Sequence, residues 1–410
     1  APLLFLVFLL LLRSPVASIL LSFLYIFDNA LIVHLRAAML EGPLLFFSVL
    51  TILTFLLLIE WKDKKKPFLL LSFLFGTVLA CAVGTKILAL IFILLIPAAL
   101  FLIYPQRIRC LQFLFLALVG FIVCYLAIWQ VHLSIVTNVN PNGDRHNGYY
   151  WASEEYKKEL DAGKGASALL LGIRHNRGHM SENHGIPPVD LCKIYERGSP
   201  PIYWPFGGRS IMYLSEKWSG EHDRYLYLQA NPFVWFLGLL GVVVAVAYVL
   251  SAMLFWQERK CKNLFYIVTF LSLYVGYMAA VSTIDRVMYL YHYFIALIIS
   301  FILFGLVFME IRSLGPWKLS KSTKNTMLAL LAACIFLSFQ YYRPLTYNQP
   351  LAPIAVERRA FFPLWELRCA RCERERLWAV PTTMPKKRDK WFVPPAESGS
   401  VVTTPSLEEK

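Results

Sequence analysis

The feature that most limits what this chain can fold into is a series of ten apolar runs, at residues 2–12, 15–27, 43–60, 67–85, 87–104, 111–133, 233–256, 263–281, 287–309 and 326–342. The hydrocarbon core of a bilayer is about 30 Å thick, so a helix needs roughly 17–25 mostly apolar residues to cross it. Most of the runs have that length; the first two are short. Charged residues make up 16% of the chain, against about 25% in soluble domains. A backbone in lipid must satisfy its own hydrogen bonds, which runs of this length do as helices. The pattern predicts an all-α integral membrane protein of about ten transmembrane helices. Its 30 Phe, 21 Tyr and 11 Trp suit the aromatic belts of a multi-span protein. A net charge of +14 would point to nucleic acid in a soluble protein. Here it reflects cationic links and a polar tail, and no nucleic-acid partner is expected.

The links between runs alternate in character. Lys62, Lys64, Lys65 and Lys66 fill one, Arg107 and Arg109 another, and Arg259, Lys260 and Lys262 a third; Arg312, Lys318, Lys321 and Lys324 follow the 287–309 run. By the positive-inside rule these links are cytoplasmic, and Arg13 falls with them. The opposite side receives residues 28–41, the turn Gly84-Thr85-Lys86, the long loop 134–232, the turn 283–286 and the tail. The chain thus divides into N-terminal transmembrane helices (1–133), an extracytoplasmic loop (134–232), C-terminal transmembrane helices (233–343) and an extracytoplasmic tail (344–410). From about residue 381 the tail's Pro, Ser, Thr, Lys and Glu read as disorder. The chain opens at Ala1 directly into PLLFLVFLLLL, with neither the basic segment nor the small-residue cleavage site of a secretory signal. A segment ahead of residue 1 is therefore expected.

The link DNALIVHLRAAMLE, residues 28–41, sets Asp28, Arg36 and Glu41 between two apolar runs. Such charges can be a solvated turn. On the same side the short links hold one cation each, Arg36, Lys86 and Arg286, and single basic residues on the disfavoured side mark candidate functional positions. Three unrelated surface cations are the plain alternative to a converging anion-binding cluster. Loop 134–232 is longer than a connector requires and reads as a functional loop or small cap domain. Its His175, His179 and His184 invite a metal reading, but Gly178 and Gly185 break the helix that would align them and no HExxH is present, so no metal is expected. Cys369 and Cys372 form a CxxC without a second pair, which suits a local disulfide or two free thiols better than zinc.

Taken in order, the pieces resemble the protein O-mannosyltransferase family of C-type glycosyltransferases. FDNALIVHLRAAMLEGPLLFF resembles the family's outer-loop segment and ACAVGTKILAL its Ala/Gly-rich span ending in Ser/Thr-Lys. YWPFGGRSIMYL and LQANPFVWFLGLLG are similar to its Trp-Pro and Gly-Asn-Pro segments. STIDRVMYLYHYFIALIISFILFG is similar to its Arg…Tyr-His-Tyr-Phe span, and PLTYNQPL with ERRAFFPLWELR to the C-terminal end of bacterial members. Each segment alone is weak evidence; six in one order, from about residue 15 to 368, are strong.

The resemblance implies transfer of mannose from a polyprenyl (dolichyl-type) phosphate to a Ser or Thr hydroxyl of an exported polypeptide, with inversion, no cofactor and no metal. It implies that Arg36, Lys86 and Arg286 hold the phosphate, with Asp28 and Glu41 beside them. Tyr291 and His292 would line the donor site and Trp204 the acceptor groove, although packed aromatics and an interfacial anchor are the plainer readings of those three. The family's catalytic base is an acidic pair after its first transmembrane helix, expected here upstream of residue 1, so the catalytic residue is not assigned. Glu41 stands where the family has Asp, and Gln229-Ala230-Asn231 replaces Leu-Gly-Asn. A transferase of another lipid-linked sugar and a catalytically inactive scaffold of the same fold are the rival readings; a transporter is disfavoured because 1–133 and 233–343 show no repeat. A dimer is allowed for. Loop 134–232 is too short for the lumenal MIR repeats of eukaryotic members, which points to a bacterial plasma membrane; in a eukaryote the membrane would be that of the endoplasmic reticulum.

Overall fold

The computed structural model describes residues 1–135, 158, 189–192, 196–220, 222–254, 263–314 and 316–367, all within one unit, Ala1–Cys372. The three histidines at 175, 179 and 184, the CxxC and the tail beyond 381 lie outside them. Within the described residues each of the ten apolar runs is helical over most of its length. The helices are α1 (Pro2–Leu12), α2 (Pro15–Ile26), α3 (Asn29–Arg36), α4 (Glu41–Glu60), α5 (Lys65–Thr85), α6 (Leu95–Ile103), α7 (Arg107–Ile135), α8 (Pro232–Leu254), α9 (Leu264–Ser282), α10 (Phe294–Glu310), α11 (Lys321–Thr346) and the short α12 (Pro353–Glu357). A 3₁₀ stretch, Ile87–Leu94, leads into α6, and another, Leu290–Tyr293, into α10.

Among the described residues seven helices are long and apolar enough to cross a membrane, or eight if α2 and α3, bent by 62° at their junction, make one span. This differs from the ten expected, and the reason is length. The first run is an 11-residue helix, about 16 Å at 1.5 Å per residue. The run at 87–103 falls short of 18 residues, and residues 15–26 qualify only together with α3. The chain is a multi-pass integral membrane protein.

The bundle centres on α10, whose residues Phe294 through Phe308 are all buried. Small residues let its neighbours approach closely. A Cβ on Gly241 of α8 would lie 2.6 Å from the Phe304 backbone, and one on Gly238 2.5 Å from Ser300 Oγ. The α5–α7 crossing is tighter still: a Cβ on Gly76 would sit 1.9 Å from the Ala117 carbonyl oxygen. Van der Waals packing of this kind drives helix association in lipid, where no hydrophobic effect separates one helix from another.

Polar contacts knit the two ends of the bundle separately. At one end Arg13 pairs with Glu60, Gln106 donates to Asp63 at 3.0 Å, Lys62 to the Leu102 carbonyl at 3.1 Å and Asn263 to Glu310 at 2.8 Å. The other end gathers α3, the start of α4, the end of α5 and residues 199–231 and 346–367. There β1 (Ile211–Lys217), β2 (Asp223–Leu228) and β5 (Pro350–Leu351) form an antiparallel sheet in the order β1-β2-β5; β3 (Ser313–Leu314) and β4 (Trp317–Lys318) make a separate hairpin. Tyr225, Tyr227, Tyr342, Leu351 and Trp365 give this cap a core of its own. Gly207, at φ +67°, turns the chain from the 3₁₀ segment Pro201–Phe206 toward β1, a left-handed conformation that suits glycine. Ser210 and Trp365 then fasten the tail to it through a backbone bond of 3.0 Å.

Candidate functional site

The site is built where α3 meets α4 and the Lys86 turn. Glu41, 5% exposed, opens α4. Its Oε1 accepts from Lys86 Nζ at 2.7 Å, and its Oε2 lies 3.0 Å from His34 Nε2. A carboxylate only accepts hydrogen bonds, so Nε2 carries the imidazole proton. Nδ1 then accepts from the Tyr213 hydroxyl, 2.5 Å away. Burial, followed by Tyr291 and the charge of Glu41, pushes the Tyr213 phenol above its ordinary pKa, which keeps it a neutral donor. The result is a continuous series, Tyr213–His34–Glu41–Lys86, drawn from four elements.

Tyr213 reaches His34 through a backbone irregularity. The β1–β2 register runs Met212↔Tyr227, then Leu214↔Leu226, so Tyr213 is the extra residue of a β-bulge. Bulges re-aim a side chain out of the regular alternation. Aromatic rings floor the cluster. His34 stacks on Tyr291 at 4.6 Å, Tyr291 on His292 at 4.6 Å and His292 on Trp204 at 6.2 Å between centroids. Lys86 Nζ lies 5.6 Å from the Tyr291 ring centre, within cation–π range. His292 Nδ1 accepts from the Tyr289 N–H at 3.2 Å, and Trp204 donates to the Ser199 carbonyl at 3.0 Å. Ser199 is also a wall of a pocket lined by Val189, Pro200, Asp285, Arg286 and Met288.

The expected site residues therefore separate into groups. Glu41, Lys86, Tyr291, His292 and Trp204 form one connected cluster. Arg286 lines the pocket beside Trp204. Arg36 lies on the other flank, donating to the Thr346 carbonyl at 2.5 Å and resting 4.7 Å from the Tyr347 ring centre. Asp28 is fully buried. Oδ1 caps α3 by accepting from Leu31 N at 2.8 Å, and Oδ2 accepts from Trp235 Nε1 at 2.8 Å and Asn231 N at 3.3 Å. Its partner is thus the α2–α3 corner and the start of α8, and Arg36 is held elsewhere.

Two members of the cluster, His34 and Tyr213, are not among the residues that sequence reasoning singles out. His34 carries one signal, its position two residues before Arg36 inside the charged link. Tyr213 carries none, because its place depends on a bulge set by pairing with β2. Among the described residues no group of three or more metal-ligating side chains gathers. Chemically, the arrangement offers one cation fixed by a buried carboxylate, a second cation in an adjoining pocket and flat apolar rings between them. Such a surface can hold an anionic group at the edge of an apolar bundle.

Two family models match the chain. One, described as dolichyl-phosphate-mannose-protein mannosyltransferase, matches residues 1–137. The other, described as the C-terminal four TMM region of protein-O-mannosyltransferase, matches residues 173–365. Dolichyl-phosphate-mannose–protein mannosyltransferase 1 of Saccharomyces cerevisiae is 25% identical over 197 residues, 43% of this chain and 22% of the yeast protein. Protein O-mannosyl-transferase 2 of Danio rerio is 28% identical over 189 residues, 42% of this chain and 24% of the fish protein. The chain spans about a quarter of the length of these curated relatives. A solved structure of the S. cerevisiae protein O-mannosyltransferase Pmt1-Pmt2 complex bound to the sugar donor superposes with a TM-score of 0.71 at 12% identity, over 90% of this chain and 80% of that one. At that identity the likeness is one of fold.

Proposed function

We propose, for a chain that belongs to the protein O-mannosyltransferase family, that it transfers mannose from a polyprenyl (dolichyl-type) phosphate to Ser or Thr hydroxyls of polypeptides. The observation that carries this reading is the buried Glu41–Lys86 pair on its aromatic floor, at the polar end of an apolar bundle. A lipid-linked phosphate has its chain in the bilayer and its charge at the edge, which is where this cation is fixed.

In the reaction the acceptor hydroxyl oxygen attacks the anomeric carbon as the bond from that carbon to the phosphate oxygen breaks, inverting the centre. The phosphate leaves with the electron pair, and the hydroxyl proton passes to a base. Charge grows on the phosphate in the transition state, so preorganised cations there lower the barrier. Lys86 is one such cation and Arg286 another, its guanidinium offering a fork that grips phosphate at two points. Glu41 and His34 hold Lys86 in place. Asp28 is ill suited to be the base, since three donors and full burial occupy it. No residue of this site is assigned as the base.

The same reading places this end of the bundle outside the cytoplasm, since the cation-rich links lie at the other end. It takes the nine apolar runs from residue 15 onward as crossings, α2 and α3 together making the first of them. For Ile87–Ile103, eight residues of 3₁₀ helix at about 2.0 Å each and nine of α-helix at about 1.5 Å reach about 30 Å, the thickness of the core.

Membranes carrying the chain with the family's acidic segment supplied ahead of residue 1, given radiolabelled mannosyl polyprenyl phosphate and a Ser/Thr-rich peptide, test the proposal. Label is expected in the peptide, and Lys86→Ala and Arg286→Ala should abolish it while the protein still accumulates. Wild-type transfer by both variants would sink the phosphate clamp. Label from a different lipid-linked sugar, and none from mannose, would reassign the donor.

A further inference from the structure

Among the described residues the outer edge of β1 pairs with no strand, and it begins at the site. We infer that the outer edge of β1 binds the acceptor polypeptide by strand addition, leading its Ser or Thr hydroxyl to the Tyr213–His34–Glu41 cluster; this rests on the acceptor being a polypeptide, as proposed above. In the order β1-β2-β5 the strand β1 is outermost, and among the described residues no strand pairs with its far edge. Its residues pass from buried Ile211 through half-buried Met212 and Tyr213 to exposed Leu214, Ser215, Glu216 and Lys217. The edge is thus anchored at the cluster and accessible beyond it.

Proteins ordinarily blunt such an edge with proline, with charge along its length or with a covering segment. Residues 211–215 (IMYLS) contain no proline and no charge. The two charges come last, and each faces its opposite across the sheet, Glu216 opposite Arg224 and Lys217 opposite Asp223. Arg224 also lies over the Trp218 ring at 3.1 Å, which fixes the hairpin end. The bulge at Tyr213 occupies the end nearest the site, so the regular part of the edge starts where the cluster stops. Four residues, 214–217, give a track of about 13 Å at about 3.3 Å each.

The chemistry of such an edge selects its occupant. A strand laid on it is held by main-chain hydrogen bonds, which any extended segment supplies whatever its side chains. That matches an acceptor defined by a hydroxyl rather than by a folded surface. An extended, proline-free segment containing Ser or Thr fits the track 214–217, with Glu216 and Lys217 at the end away from the cluster. A second copy of this chain could pair edge to edge through β1, and the test below separates the two.

The full chain in lipid nanodiscs is given a photoreactive benzophenone side chain at Ser215 and a nine-residue Ser/Thr peptide in three forms. One is unmodified, one is N-methylated at its odd amides and one at its even amides. A strand bonds its neighbour through alternate residues only. One methylated form should lose cross-linking at least tenfold, and the other should stay within twofold of the unmodified peptide. Equal loss in both forms, no cross-link, or cross-linking of two protein chains in place of the peptide would each overturn the track. Transfer of labelled mannose is measured in parallel, with the family's acidic segment supplied ahead of residue 1. Transfer without the alternation leaves the transferase standing and removes the track; alternation without transfer removes the transferase while β1 remains a peptide-binding edge.

Discussion

Glu41 and Asp28 are both buried acids within one short stretch of chain, yet they do different work. Glu41 is paired with Lys86 and His34, so its loss leaves a half-buried cation without its counter-charge. Breaking a fully buried pair costs about 3–5 kcal/mol. Lys86 keeps 18% of its side chain exposed, and solvent there reduces the figure to about 2 kcal/mol. Glu41→Ala is therefore expected to lower the thermal unfolding midpoint in detergent by a few degrees and to abolish transfer. An unchanged midpoint would show that Lys86 finds another partner. Asp28→Ala should be worse for the fold. It removes an N-cap, about 1 kcal/mol, and leaves the Trp235 indole and the Asn231 amide as buried donors without an acceptor, about 1–3 kcal/mol each. The expected result is loss of monodisperse protein on size-exclusion chromatography, whereas exposed Arg36→Ala should run as wild type. The reverse order would return Asp28 to the substrate site. At this scale the sequence is legible only in part: an acid directly before a helical run is a cap signal, but its bond to Trp235, 207 positions along the chain, leaves no mark in a local pattern.

Elements are easier to read than their contacts. All ten apolar runs become helices because a continuous apolar stretch in lipid has no other way to pair its backbone. What periodicity cannot supply is which helices touch, since faces that are apolar all round carry no stripe. The α5–α7 pairing is a case. Gly76 and Gly120 look like ordinary small residues in sequence, and the structure sets Gly76 against the Ala117 carbonyl and Gly120 against that of Phe73. The same approach brings Cys81 Sγ to 3.5 Å from Cys124 Sγ, where each alone reads as a small buried hydrophobe. Copper phenanthroline should then join the two thiols in membranes, giving a faster band on non-reducing gels that Cys124→Ser removes. Gly76→Leu should remove it as well, because a side chain there pushes the helices apart. A cross-link that survives Gly76→Leu would mean the crossing lies elsewhere. The bulge at Tyr213 is the opposite case, an element-level detail with a local consequence that no single strand encodes.

For the whole molecule the informative quantity is how the cations at the two ends are held. One end holds Lys62, Lys64, Arg107, Arg109, Lys321 and Lys324 near Asp63, Glu60 and Glu310. Among the described residues the other end holds about as many, and several have a fixed protein partner: Lys86 on Glu41, Arg36 on Thr346 and Tyr347, Arg209 beside Glu366 at 3.4 Å, Arg359 over the Tyr341 ring. A solvated basic surface needs no such placement, and a membrane protein's cytoplasmic face commonly has one. Lone cations on the opposite face are retained where something anionic meets them. Sidedness is thus tied to function: the end with the aromatic floor must face away from the cytoplasm if an exported polypeptide is to reach it. Exposed Ser219, at the turn between β1 and β2, and exposed Asp63, between α4 and α5, sit on opposite ends. In a chain whose eight native cysteines are replaced, Ser219→Cys should react with a membrane-impermeant maleimide in intact cells, and Asp63→Cys only after the membrane is opened. The opposite pattern would turn the molecule over. The Lys86 cluster would then face a compartment with no exported acceptor, and the proposed transfer to such chains would fail with it.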